Sequence, residues 1–140
     1  MGIIEKLGID FKDLVPEEKT IRLEIPRYSK QLKKGKFYIT VKSLDLNYAQ
    51  EIQEEMSKAS KNKDEAEAVE LFMQVVAAGM IYPSINDKKF IDWLGLKENA
   101  TTYQILKKFL LKSEIVDIGL EIFKLTGLSN DNKVVAIKNL

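Results

Sequence analysis

The side chains spaced for chemistry in this chain are carboxylates and lysines. Glu51 and Glu55, and Asp64 and Glu67, sit at helical spacing. That spacing brings carboxylates together as a hard cation would require. The run Asn130, Asp131, Asn132 resembles the start of a calcium loop, but the turn-making glycine and the distant bidentate glutamate are missing. The chain has no histidine and no cysteine. The two absences together remove the commonest general base, the commonest metal ligand, thiol nucleophiles and disulfides. Both carboxylate groupings are therefore read as solvated surface, and neither catalysis nor a metal or other cofactor is expected. The glycines stand singly at helix ends and turns, so no glycine loop is available to cradle a phosphate.

The densest basic cluster is Arg27, Lys30, Lys33, Lys34 and Lys36, with Tyr28 beside it. Such a cluster could track a phosphate backbone. A single tyrosine gives little aromatic interleaving, and Arg22 and Arg27 are the only arginines, so few forked guanidinium groups are available for base or phosphate recognition. Lysines at strand edges also discourage sheet-to-sheet association. The cluster reads as a solvated connection, and nucleic acid is not the expected partner. The whole chain carries 22 basic and 21 acidic side chains, net +1. Along the sequence the charge is uneven: +4 over residues 1–43, −5 over 44–70 and +2 over 71–140. A basic strand region followed by an acidic helix suits contacts within the fold or between copies, although two oppositely charged wet faces explain it as well.

The elements that position these groups follow from hydrophobic periodicity. Residues 19–27 place Ile21, Leu23 and Ile25 on one face, and residues 36–43 place Phe37, Ile39 and Val41 likewise, which predicts two half-buried strands forming a β-hairpin. A lone hairpin is marginal in water, so its apolar face must rest on helices or its edge must meet another strand. From Ser43 onwards Leu44, Tyr48, Ile52 and Met56 recur at helical spacing, with Ser43 or Asp45 as the cap and residues 58–64 as a polar loop. A second helix follows, apolar nearly all round, ending near Gly79 before Tyr82-Pro83. It is broken by Glu70, Gln74 and Gly79 and is too short to span a bilayer. The start MGIIEKLGIDF lacks a signal peptide's basic region and long apolar core, so a cytoplasmic location is expected.

A short helix over 87–94 should turn Phe90, Trp93 and Leu94 inward and stop at Gly95. Thr101 and Gln104 have capping-box spacing, so another helix should open there and bury Tyr103, Leu106, Phe109 and Leu110. Ser113 or Glu114 marks a kink or a fresh start. The last helix then carries Ile115, Ile118, Leu120, Ile122, Phe123 and Leu125 and stops at Gly127. Val134, Val135 and Ile137 form a small apolar patch in the tail. At 140 residues and 45% apolar content, the whole is expected to be one α+β domain, mainly α. Residues 1–43 form its strand-rich hairpin part, 44–128 its roughly five helices and 129–140 its tail. The helical faces offer more apolar surface than a hairpin and one amphipathic helix need to cover. Phe109, Leu110, Ile115 and Phe123 are the residues expected to meet a partner.

The chain resembles the XkdN-like tail assembly chaperones of phages and of phage-derived contractile tail particles. The resemblance rests on Ile25-Pro26-Arg27, on Phe37 to Val41 leading into Ser43-Leu44, on the middle helix ending near a proline, and on the carboxyl-terminal pattern. That pattern is Leu110-Leu111-Lys112-Ser113-Glu114-Ile115, then Ile122 to Leu128, then Lys138-Asn139. The family's pattern often has a glycine before that glutamate; Ser113 stands there instead. The resemblance implies a non-catalytic protein of the host cytoplasm that binds the tape measure protein and keeps it soluble before tube assembly. It also implies absence from the mature particle, with the tail tube protein as a further partner. Homo-oligomerisation is a companion expectation. The alternative is a structural component of the tail or baseplate, retained in the mature particle.

Overall fold

The computed structural model describes residues 18–33 and 35–128. Strand β1, Thr20–Glu24, pairs antiparallel with β2, Tyr38–Lys42, in a register that sets Ile21 opposite Val41 and Leu23 opposite Ile39. The alternation legible in the sequence is thus realised, with Ile39 and Val41 fully buried. The connection is not a plain loop. Pro26 begins helix α1, Pro26–Leu32, because its fixed φ and missing N–H suit a first helical turn. A seven-residue helix has little stability of its own, so its tertiary contacts, described below, must hold it.

Helix α2, Leu46–Lys61, is capped by Asp45, whose carboxylate accepts the Tyr48 N–H. It runs further than the polar composition of residues 58–64 implies, leaving only Asn62 to Asp64 as the turn. Asp64 then caps helix α3, Glu65–Gly79, by accepting the Glu67 N–H. Its last residue, Gly79, leads without a loop into β3, Met80–Tyr82. β3 pairs antiparallel with β2, giving the sheet order β1-β2-β3 with an irregularity at Thr40/Val41. The hairpin is therefore supported in both of the expected ways, by helices and by a third strand.

Helix α4, Lys88–Trp93, is followed by α5, Thr102–Phe109, and α6, Lys112–Thr126. Thr101 and Gln104 form the reciprocal capping box predicted for α5. Gly127 closes α6 at φ 96°, a left-handed conformation that glycine adopts without steric cost. Helices α3 and α6 run parallel. Glu65 faces Lys112 at their starts, Phe72 meets Gly119 midway and Gly79 meets Ile122 at their ends. A Cβ on Gly119 would lie 2.6 Å from Phe72 Cδ1, so the pair packs at a distance that only glycine permits. One buried cluster joins the sheet to the helices, with Phe109, Ile39, Leu106, Ile115 and Ile122 among its largest fully buried side chains. Leu120 departs from the expected inward set and is half exposed. It stands two residues, roughly 200° of helical rotation, from both Ile118 and Ile122, which occupy the buried face.

Candidate functional site

The break between α5 and α6 is the most elaborately fastened point of the described residues. Leu110 and Leu111 adopt extended backbone conformations, with ψ of 148° and 157°. Helix α1 reaches across to hold this break. Arg27 donates from Nη2 to Glu114 Oε1 at 2.9 Å and to the Phe109 carbonyl at 3.0 Å, while its Nε donates to Glu114 Oε2 at 3.2 Å. The Tyr28 hydroxyl donates to the same Phe109 carbonyl, and the Arg27 guanidinium lies 4.4 Å from the Tyr28 ring centroid. Glu114 in turn accepts the Leu111 N–H at 2.7 Å. A forked guanidinium is suited to this because it serves a carboxylate and a carbonyl at once.

The electrostatics agree with the geometry. The Arg27 guanidinium is held above its ordinary value chiefly by its hydrogen bond to Glu114, against the opposing effect of burial. Burial pushes the Glu114 carboxyl upward, but the hydrogen bonds it accepts from Arg27 and Leu111 outweigh that and hold it below the usual carboxylate value. Beneath the clamp Tyr28 stacks on Phe109, with ring centroids 5.3 Å apart, and Phe90 meets Phe109 edge-on at 5.0 Å.

The clamp fixes one wall of a surface trough. A depression of about 470 Å³ between α3 and the α5–α6 break is lined by Val69, Met73, Leu110, Leu111 and Ile115, with Lys107 and Lys112 beside it. A second, of about 560 Å³, continues it towards Tyr48 and Ala78. The two share Glu70, Met73 and Tyr103. Tyr103 also borders a third depression beside Leu96 and Lys108, and its ring lies under the Lys107 ammonium at 4.7 Å.

Of the four residues predicted to meet a partner, Phe109 is fully buried and Leu110, Ile115 and Phe123 are each exposed by 6% or less. The structure does not bring all four to one surface. Leu110 and Ile115 floor the trough, whereas Phe109 and Phe123 lie in the core behind it, Phe123 edge-on to Phe72 at 6.4 Å. The apolar groups that face solvent here are Leu111, 53% exposed, and Tyr103, 43% exposed. Tyr103 was expected inside; as the second residue of α5 it instead points along the trough. Trp93, also expected inside, is 59% exposed and presents one side outward while the other rests on Phe90 and Phe109. Ile91 takes its place in the core.

The remaining sequence candidates are placed as follows. Arg27 leaves the basic cluster to pair with Glu114, and Asp64 is spent as the α3 cap. Among the described residues no group of three or more carboxylates could hold a metal ion, and no helix is long and apolar enough to cross a membrane. Asn130 to Asn132 and the tail residues Val134, Val135 and Ile137 lie outside the described residues. The clamp itself was not anticipated from sequence. Its one local signal is the three-residue spacing from Leu111 to Glu114, half of a capping box.

No curated protein and no solved structure gives a significant match to the chain. The model of the phage XkdN-like tail assembly chaperone family matches residues 11–138, nearly the full length, a span that contains the stretches Ile25 to Arg27 and Leu110 to Leu128. The chain therefore belongs to the phage XkdN-like tail assembly chaperone family.

Proposed function

We propose that this protein is a non-catalytic chaperone that binds the tape measure protein in the host cytoplasm, keeps its long apolar helices soluble, and leaves before the particle matures. The observation that carries this reading is the trough between α3 and the α5–α6 break, whose apolar floor is supplied by Leu110 and Ile115 and whose exposed apolar rim is Leu111 and Tyr103. Phe109 and Phe123 contribute from behind by fixing that floor. A client segment laying an apolar stripe into the trough would gain roughly 25 cal/mol per Å² of apolar area removed from water, less the cost of ordering. Many weak contacts along one long client would let tube subunits displace the copies stepwise, and copies placed side by side would favour homo-oligomerisation.

Co-expression with a tape measure fragment tests the proposal. Co-elution in size-exclusion chromatography and a higher soluble client yield are expected. A client that stays insoluble and elutes alone would reject it. Mass spectrometry of purified particles separates chaperone from tail component: the chain should be missing, and stoichiometric retention would favour a structural role.

A further inference from the structure

Helices α5 and α6 begin with the same spacing and different chemistry. At α5 the capping box is complete: Thr101 Oγ1 accepts the Gln104 N–H at 3.2 Å and Gln104 Oε1 accepts the Thr101 N–H at 3.0 Å. At α6 only one half exists. Glu114 accepts the Leu111 N–H, but leucine has no oxygen with which to accept the Glu114 N–H in return. The position is also wet, since Leu111 is 53% exposed. A leucine there forgoes a cap and leaves apolar surface in water, two local choices that work against the fold. Arg27 steadies Glu114 and so holds the half-made cap in place.

We infer that Leu111 is a partner-contact residue, the apolar anchor for an amphipathic client helix whose stripe is bordered by acidic residues on one side and basic residues on the other. The inference rests on the proposed client binding and specifies its chemistry. Charge complementarity sets the occupant. Lys107 and Lys112 stand on the α5–α6 side of the trough, and Glu70 stands on the α3 side. The trough follows α3 from Ala66 to Ala78. At 1.5 Å per residue that is about 18 Å, the length of roughly twelve helical residues. Acids facing the lysines and bases facing Glu70 would fix which way round the helix lies.

The test uses the full chain, the tape measure fragment and a labelled synthetic helix with a leucine stripe flanked by glutamates on one edge and lysines on the other. Leu111→Ser supplies the missing half of the capping box. Its melting temperature should stay within about 2 °C of the parent or rise, as a gained cap offsets lost burial. Affinity for the synthetic helix should fall about tenfold, equivalent to about 1.4 kcal/mol. Lys107→Glu combined with Lys112→Glu should weaken the same helix and favour one with lysines on both edges. Equal affinity of parent and Leu111→Ser for the synthetic helix would overturn the inference, as would indifference to the charge reversal. Loss of a dimer on Leu111→Ser with unchanged peptide affinity would assign the face to a second copy and overturn it too. If the synthetic helix binds as described and the tape measure fragment does not, the chemistry of the trough stands and the client assignment falls.

Discussion

Removing Arg27 should unfasten the α5–α6 break without emptying the core. Arg27→Met keeps most of the aliphatic stem but withdraws the donors to Glu114 and one of two donors to the Phe109 carbonyl. A hydrogen bond to a charged group contributes about 1.5–3 kcal/mol. The Arg27 side chain is 34% exposed and Glu114 17%, so solvent screening trims the pair to about 1–2 kcal/mol of coupling. A double-mutant cycle of Arg27→Met and Glu114→Gln, followed by circular dichroism in urea, measures it. The sign with pH is fixed by the direction of the Glu114 shift. A carboxyl held below its ordinary value, about 4.3, contributes stability that is complete above that value and disappears as pH falls through its lowered folded-state value. The difference between parent and Arg27→Met should therefore be full at neutral pH and shrink below about pH 4. A coupling under about 0.3 kcal/mol at neutral pH, the error of additivity itself, would refute the clamp as a stabilising device.

Two further outcomes concern the interior. Phe109→Ala deletes a fully buried ring that touches Tyr28, Phe37, Phe90 and Trp93, and should cost about 3–5 kcal/mol in chemical denaturation; a loss below 1 kcal/mol would mean the aromatic cluster is not the keystone of this end. Gly119→Ala normally favours a helix by about 1 kcal/mol, but the added methyl meets the Phe72 ring at 2.6 Å, so a net destabilisation of about 1–2 kcal/mol is expected by thermal melting, and a stabilised variant would contradict the close α3–α6 approach.

What the sequence disclosed and what it hid divide along physical lines. Strand alternation, the Thr101–Gln104 capping box and the stops at Gly79, Gly95 and Gly127 are local signals and were legible, while the cap at Asp45 was one of two that the sequence offered, with Ser43. Helix α1 was hidden because its composition is polar and its stability comes from Arg27 and Tyr28 contacting residues over 80 positions away. β3 was hidden because three residues continuing an apolar helix carry no period of their own. At the trough, apolar content drew attention to the stretch of chain around Leu110 and Ile115, two residues that line the depression. It could not separate Phe109, which the interior consumes, from Leu111, which solvent meets. The Lys107 and Lys112 edge facing Glu70 depends on how α5 and α6 lie on α3, which no local pattern encodes.

The passage from Gly79 straight into Met80 joins the helical layer to the sheet with no intervening hinge. A methyl on Gly79 would lie 3.2 Å from the Lys42 carbonyl and 2.7 Å from Ile122, so the joint is tight on two sides. The α3 side of the trough is accordingly braced like a beam set into masonry. A helix seating itself against that side would surrender its own conformational freedom while the protein surrendered little, and its departure would be governed by competitors for its surface rather than by any bending of the cradle.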